Sequence, residues 1–198
     1  AASSLSAVVI PDTVISMGQY AFQSSAYLSS VKIGNGLRSI SKEAFEYCSN
    51  LSEITIPAGI ESIGGAAFKS AGLGKLIFEN NSKLTVISYA AFYGCPLTSV
   101  NFPDSLMNIG DSAFFKCSLS SISFGEGSSL QIIGAEAFRY APLATVAFPA
   151  NIRTIGDYAF ADTAIAGSVT VPASLESLGG GVFGACHALT EINVESVN

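Results

Sequence analysis

Charge is scarce in this sequence. Asp, Glu, Lys and Arg make up 12% of its 198 residues, against 49% hydrophobic residues, and no lysine or arginine follows Arg153. A net charge of −6 leaves no basic stripe for phosphate contacts, which argues against a nucleic-acid partner. Asp157, Asp162, Glu176, Glu191 and Glu195 all follow that last arginine. They read either as charges that keep one end of the molecule soluble and blunt strand addition there, or as an acidic face for a basic partner or a weak calcium site. Long apolar runs are also missing, since no window approaches the roughly 18 residues of a membrane-crossing helix. Linker-like stretches are absent too, so residues 1–198 are expected to form a single domain. The chain begins at Ala1 without methionine and stops partway through a unit, which suggests a processed protein or an excised fragment.

Reactive groups are equally sparse. The single histidine, His187, adjoins Cys186, and adjacent residues rarely face one another across a site, so no cysteine–histidine nucleophile is expected. No serine-centred elbow, phosphate loop or paired-carboxylate motif appears, and neither a cofactor nor a catalytic residue is expected. Cys48, Cys95, Cys117 and Cys186 lack the paired spacing of a zinc site. Each lies three residues after a phenylalanine, in a slot that Ser25, Ala71, Ala141 and Thr163 fill elsewhere, so the slot calls for a small buried side chain. Only Cys95 and Cys117 fall in neighbouring units, close enough in principle for a bridge. Asn50 and Asn80 begin glycosylation-type triplets, which matter only in a source that glycosylates.

What the chain does have is a beat. Phe22, Phe45, Phe68, Phe92, Phe114, Phe138, Phe160 and Phe183 recur at intervals of 22 to 24 residues, and seven of the eight follow alanine. Each unit opens on an apolar residue (Leu5, Leu28, Leu51, Leu73, Leu97, Leu119, Leu143, Ile165), and Leu189 begins a partial ninth. Two apolar residues two apart follow, such as Val31 and Ile33 or Val146 and Phe148, the period of a strand burying one face. Proline or glycine then turns the chain, as at Pro57 and Gly125. Next comes an apolar pair three apart, as in Ile60 and Ile63, usually followed by glycine. From there Ile63, Ala67, Phe68 and Ala71 take the spacing of a helical stripe about two turns long. Units four and six carry two extra residues at Glu79–Lys83 and Gly125–Ser129, which places both insertions on one edge.

One such unit cannot close a core, whereas stacked units share one. The expected architecture is an α/β repeat solenoid of about eight coils, with parallel strands on one side and short helices or helical turns on the other.

Two surfaces are candidates for binding. Phe115 occupies a slot after the repeat phenylalanine where other units carry Gln23, Glu46, Lys69, Tyr93 or Arg139, so it reads as exposed. Stacking would align Tyr93, Phe115 and Arg139, with Lys116 and Tyr140 in the next column, a composition typical of protein-binding hot spots. Ordinary surface scatter, or contact with a further domain, would produce the same residues. The second candidate is the outward face of the strands, carrying Ser30, Lys32, Glu53, Thr55, Lys75, Asn101, Ser121 and Thr145, which is small, polar and nearly uncharged. It suits an extended ligand, or mere solubility.

The order strand, Pro, Ile-Gly, Ala-Phe, Cys, complete in Leu97–Cys117, resembles the BspA-type leucine-rich repeat family over nearly the whole chain. That resemblance implies a right-handed leucine-rich-repeat solenoid on a secreted or surface protein. It further implies a non-enzymatic role in adhesion to host matrix or cell-surface proteins. Ser25, Ala71, Ala141 and Thr163 in place of cysteine, and Ser41 and Ser88 in place of glycine, depart from the pattern. A passive spacer carrying another domain is the alternative reading, and glycan binding a lesser one.

Overall fold

The computed structural model describes residues 4–195. Its strands run in chain order as β1 (Ala7–Ile10), β2 (Ser30–Ile33), β3 (Ser39–Ile40), β4 (Glu53–Ile56) and β5 (Ser62–Ile63). There follow β6 (Lys75–Phe78), β7 (Val86–Ile87), β8 (Ser99–Phe102), β9 (Asn108–Ile109) and β10 (Ser121–Phe124). The series closes with β11 (Ile132–Ile133), β12 (Thr154–Ile155), β13 (Ala166–Val171), β14 (Ser177–Leu178) and β15 (Ala188–Val194). All pairing is parallel and joins equivalent residues of successive coils, as Ile54 with Leu76 or Ile63 with Ile87. A complete coil therefore has three sides: a long strand, a two-residue strand, and a layer of turns.

The alternation seen in the sequence sets the core. Ile54 and Ile56 are buried while Glu53 and Thr55 between them face solvent. The openers Leu28 to Ile165 are fully buried, as are Ile63, Ile87, Ile109, Ile133 and Ile155 from the short strands. At the centre the repeat phenylalanines form a stack, neighbouring centroids lying between 5.1 Å (Phe92–Phe114) and 5.9 Å (Phe160–Phe183) apart. Phe22 and Phe183, with a neighbour on one side only, are half-buried.

The expected helices are not there: no helix occurs among the described residues. In the third coil Ala66 and Ser70 both have φ of 53°, and every coil repeats this pair of left-handed residues four apart. A left-handed residue cannot continue a right-handed helix, so the bond from each N–H to the fourth carbonyl back never forms. Instead the amides alternate. Ala67, Lys69 and Ala71 donate to carbonyls three residues back, while Ala66, Phe68 and Ser70 donate to Tyr89, Ala91 and Tyr93 of the next coil at 2.7–2.8 Å. Burial of Ala66, Ala67, Phe68 and Ala71 in one stripe explains why the spacing mimics a helix.

The strand sides also differ from expectation. The short strands form one continuous seven-stranded ladder, β3-β5-β7-β9-β11-β12-β14. The long strands join only in pairs: β1 with β2, β4 with β6, β8 with β10, and β13 with β15. Residues 143–148 enter no strand. Val146 and Phe148 still pack on the core, but the coil gains little more than one backbone bond there, from Ala166 N–H to the Ala144 carbonyl (3.2 Å). Its outward Ala147 offers no sizeable cross-strand partner. In β13–β15 the register shifts between Gly167 and Ser168, and Gly167 takes φ of 73°, a conformation glycine adopts without steric cost. The longer loops at 79–83 and 125–129 both join a long strand to a short one, on the same edge, as the sequence indicated.

Candidate functional site

The turn layer brings together the five residues of the first candidate surface. Tyr93 and Phe115 stack with centroids 4.9 Å apart, and Phe115 meets the edge of Tyr140 at 5.3 Å. The Lys116 ammonium lies over both Phe115 (5.4 Å) and Tyr140 (5.5 Å). The Arg139 guanidinium lies 4.8 Å from the Tyr140 centroid and bonds Glu136 at 2.7 Å and Asp162 at 2.9 Å. Those two carboxylates, Asp162 first, hold the guanidinium even further above its ordinary pKa. Lys116 and Tyr140 are exposed, whereas Phe115, Tyr93 and Arg139 are half-buried. The expectation of a freely exposed Phe115 is thus corrected: neighbours one coil before and after cover its ring.

The stripe extends beyond those five. Lys69 lies 5.9 Å from the Tyr47 centroid and 6.0 Å from that of Tyr93, Lys42 lies over Tyr20, and Arg139 also reaches Tyr158. Sequence reasoning left out Tyr20, Lys42, Tyr47, Lys69 and Tyr158, although Lys69 shares the column of Tyr93 and Tyr47 that of Tyr140. Tyr20, Tyr47, Tyr140 and Tyr158 all stand at left-handed turn positions, so the signal would have been aromatics on either side of the repeat phenylalanine. Acids interleave with the cations. Glu46, almost wholly buried, accepts from Gln23 Nε2 at 2.6 Å and pairs with Lys69 at 3.3 Å. Its acceptance of the Lys69 ammonium raises that group's pKa. Among the described residues, Lys116 is the stripe's cation without a carboxylate within ion-pair distance.

The second candidate surface is exposed as expected. Ser30, Lys32, Glu53, Thr55, Lys75, Asn101, Ser121 and Thr145 all face solvent. Glu53 and Lys75 stand opposite each other in register, with a 3.7 Å ion pair. The face is not one sheet, however. Where strand pairing skips a junction the surface opens: a cleft of about 490 Å³ lined by Lys75, Ile77, Ser99 and Asn101 lies between β6 and β8. One of about 270 Å³ with Lys32, Thr55 and Glu79 lies between β2 and β4.

The thiols follow the sequence reading, with one addition. All four cysteines are free and buried, Cys95 and Cys117 included. Each sulfhydryl donates to the carbonyl of the preceding coil's phenylalanine, as Cys95 to Phe68 at 3.0 Å and Cys117 to Phe92 at 3.1 Å. Burial pushes the Cys48 thiol up to about 11 and that of Cys95 up to about 12. His187 is exposed in the turn beside Cys186. Among the described residues, no group of three or more His, Cys, Asp or Glu is placed to hold a metal ion. Nor is any helix there long and apolar enough to cross a membrane.

Parallel coils with a leucine-led strand, a phenylalanine spine and turn-borne side chains define a leucine-rich-repeat solenoid. The family model for the BspA type leucine-rich repeat region matches residues 1–119 and 85–198, and the chain belongs to that family. No curated protein matches the sequence. Among solved structures, a leucine-rich repeat protein from Bacteroides ovatus superposes with a TM-score of 0.79 at 27% identity, over 98% of this chain and 56% of that one. A leucine rich cell surface protein from Faecalibacterium prausnitzii gives 0.67 at 23% identity, over 97% of this chain and 48% of that one. The pneumococcal vaccine antigen PcpA gives 0.60 at 22%, over 96% and 62%. This chain spans about half to three-fifths of the length of each.

Proposed function

We propose that this chain is a non-enzymatic protein-binding module of a surface or secreted protein, adhering to host matrix or cell-surface proteins through the turn-layer stripe. The observation that carries this reading is the cluster of Tyr93, Phe115, Lys116 and Tyr140. Its rings are held by one another, so a partner that docks on them loses little side-chain entropy. Lys116 is fixed over two rings and has no carboxylate of its own, which leaves its charge for an acidic side chain of the partner. Membership of a leucine-rich repeat family supports the binding role, and the cell surface protein among the structural relatives supports the location.

A screen of immobilised matrix proteins, followed by titration, tests the proposal. Tyr140→Ala and Lys116→Glu are expected to weaken binding about tenfold or more each, as hot-spot residues do, while melting stays near that of the natural chain. Undiminished binding in both variants would remove the stripe as the site. A natural chain that captures no matrix protein would favour the passive spacer.

A further inference from the structure

A third surface breaks the repeat without belonging to either candidate. The outward row of the short-strand ladder reads, in register, Ser39, Ser62, Val86, Asn108, Ile132, Thr154 and Ser177. Small hydroxyls occupy both ends, and the departure is confined to the three central coils. The adjoining row, whose carbonyls receive the turn amides of the preceding coil, reads Lys42, Gly65, Tyr89, Asp111, Ala135, Asp157 and Gly180, so its aromatic, Tyr89, falls in the first of these three coils and Asp111 in the second. Tyr89 is 64% exposed, far more than a ring that packs on its neighbours, and among the described residues no ring or cation covers it.

These residues line an open cleft of about 370 Å³, with Val86, Ser88, Tyr89, Asn108, Asp111 and Ile132 on its walls. Its floor is backbone. A Cβ on Gly110 would come within 2.8 Å of Ser88 and Tyr89 backbone atoms, so the coils approach here as only glycine allows. Asp111 accepts the Ala135 N–H on Oδ1 (2.8 Å), which leaves Oδ2 with acceptor capacity. The Asn108 amide and Ser88 hydroxyl make no side-chain hydrogen bond to other described residues.

We infer that this cleft is a carbohydrate site taking one or two rings of a neutral saccharide, separate from the protein-binding stripe. A neutral pyranose offers one face of C–H groups and a rim of hydroxyls that both donate and accept. Tyr89, Val86 and Ile132 supply the apolar face, and Asn108, Ser88 and Asp111 supply donors and acceptors for the rim. No cation lines the cleft, so an acidic sugar or phosphate gains no counter-charge. An apolar peptide side chain would leave three polar groups desolvated without partners. The volume lies near the lower limit of the roughly 300–1,000 Å³ of small-molecule sites, which suits a sugar or two rather than a large ligand.

The test titrates the intact chain with glucose, galactose, mannose, N-acetylglucosamine, N-acetylgalactosamine and their linked disaccharides, read by saturation-transfer NMR and calorimetry. At least one is expected to saturate at millimolar concentration. Tyr89→Ala should weaken it about tenfold or more and Asn108→Ala several-fold, with Tyr140→Ala in the stripe without effect. Both substitutions remove exposed or half-exposed groups and leave the core intact, and either alone suffices as the reading if the other fails to fold. Saturation by no saccharide, equal binding by both cleft variants, or Tyr89-dependent capture of apolar peptides alone would each overturn the inference. Loss of matrix binding in the Tyr140→Ala chain with sugar binding kept would separate this site from the stripe.

Discussion

At the scale of the residue, the same aromatic type does two kinds of work. Phe92 lies inside the spine, stacked 5.2 Å from Phe68 and 5.1 Å from Phe114, and wholly buried. Phe92→Ala removes that filling from a layer whose coils cannot collapse independently, so a loss of about 3 to 5 kcal/mol is expected. Phe115→Ala removes a half-buried ring held by Tyr93 and Tyr140 and is expected to cost about 1 to 2 kcal/mol. Denaturant melts of both variants check the difference; equal losses would show that Phe115 carries core packing. The thiols make a prediction in pH. With Cys48 at about 11 and Cys95 at about 12, both above the ordinary thiol value, the folded state holds protons that the unfolded state gives up first. Their contribution is therefore complete below about pH 9 and declines as pH rises toward 11 and 12. Thermal melts across that range should fall less steeply in Cys95→Ala than in the natural chain; parallel slopes would refute the assignment.

At the scale of the element, the turn layer depends on interactions made between coils rather than within them. Alternate amides leave the coil for the next one, and Glu46 is buried against Gln23 of one neighbour and Lys69 of the other. Lys69→Met leaves that carboxylate buried without its cation and is expected to cost about 1 to 3 kcal/mol. Adding Glu46→Gln should restore part of the loss, because a neutral amide needs no counter-charge. A double variant no more stable than Lys69→Met would show that the pair is not coupled. The sequence marked this layer as apolar every third or fourth residue, which is true of it, but a helix and a chain of turns with left-handed residues four apart share that spacing. Ala66, Tyr47 and Glu136 have no side chain that announces a positive φ, so the turn type was not legible from composition.

At the scale of the whole molecule, stability is distributed over junctions between coils, and the junctions are not alike. Every junction is tied through the turn layer, while ladder bonding across the long strands skips those between β2 and β4, between β6 and β8, and on both sides of residues 143–148. In a strand paired on one edge only, successive amides point to opposite sides, so protected and fast-exchanging positions should alternate along β4 and β8. The Phe68 and Phe114 amides, bonded to the next coil at 2.8 Å, should exchange slowly. Uniform protection throughout β8 would show the long-strand side to be a continuous sheet.

The sequence by itself determined the period, the buried columns and the small thiol slot. Each depends only on which side chains recur every 22 to 24 residues, and water sorts those by polarity wherever the coils touch. It also placed Tyr93, Phe115, Arg139, Lys116 and Tyr140 in neighbouring columns. Only the tertiary structure decided that each coil's turns carry two left-handed residues, that the long strands pair two by two, and that Phe115 is covered by its neighbours. The same holds for the cleft that Tyr89, Asn108 and Ile132 form across three coils. Those outcomes turn on which carbonyl one coil away each N–H meets and on how closely glycine lets two backbones approach, quantities set between coils rather than along the chain.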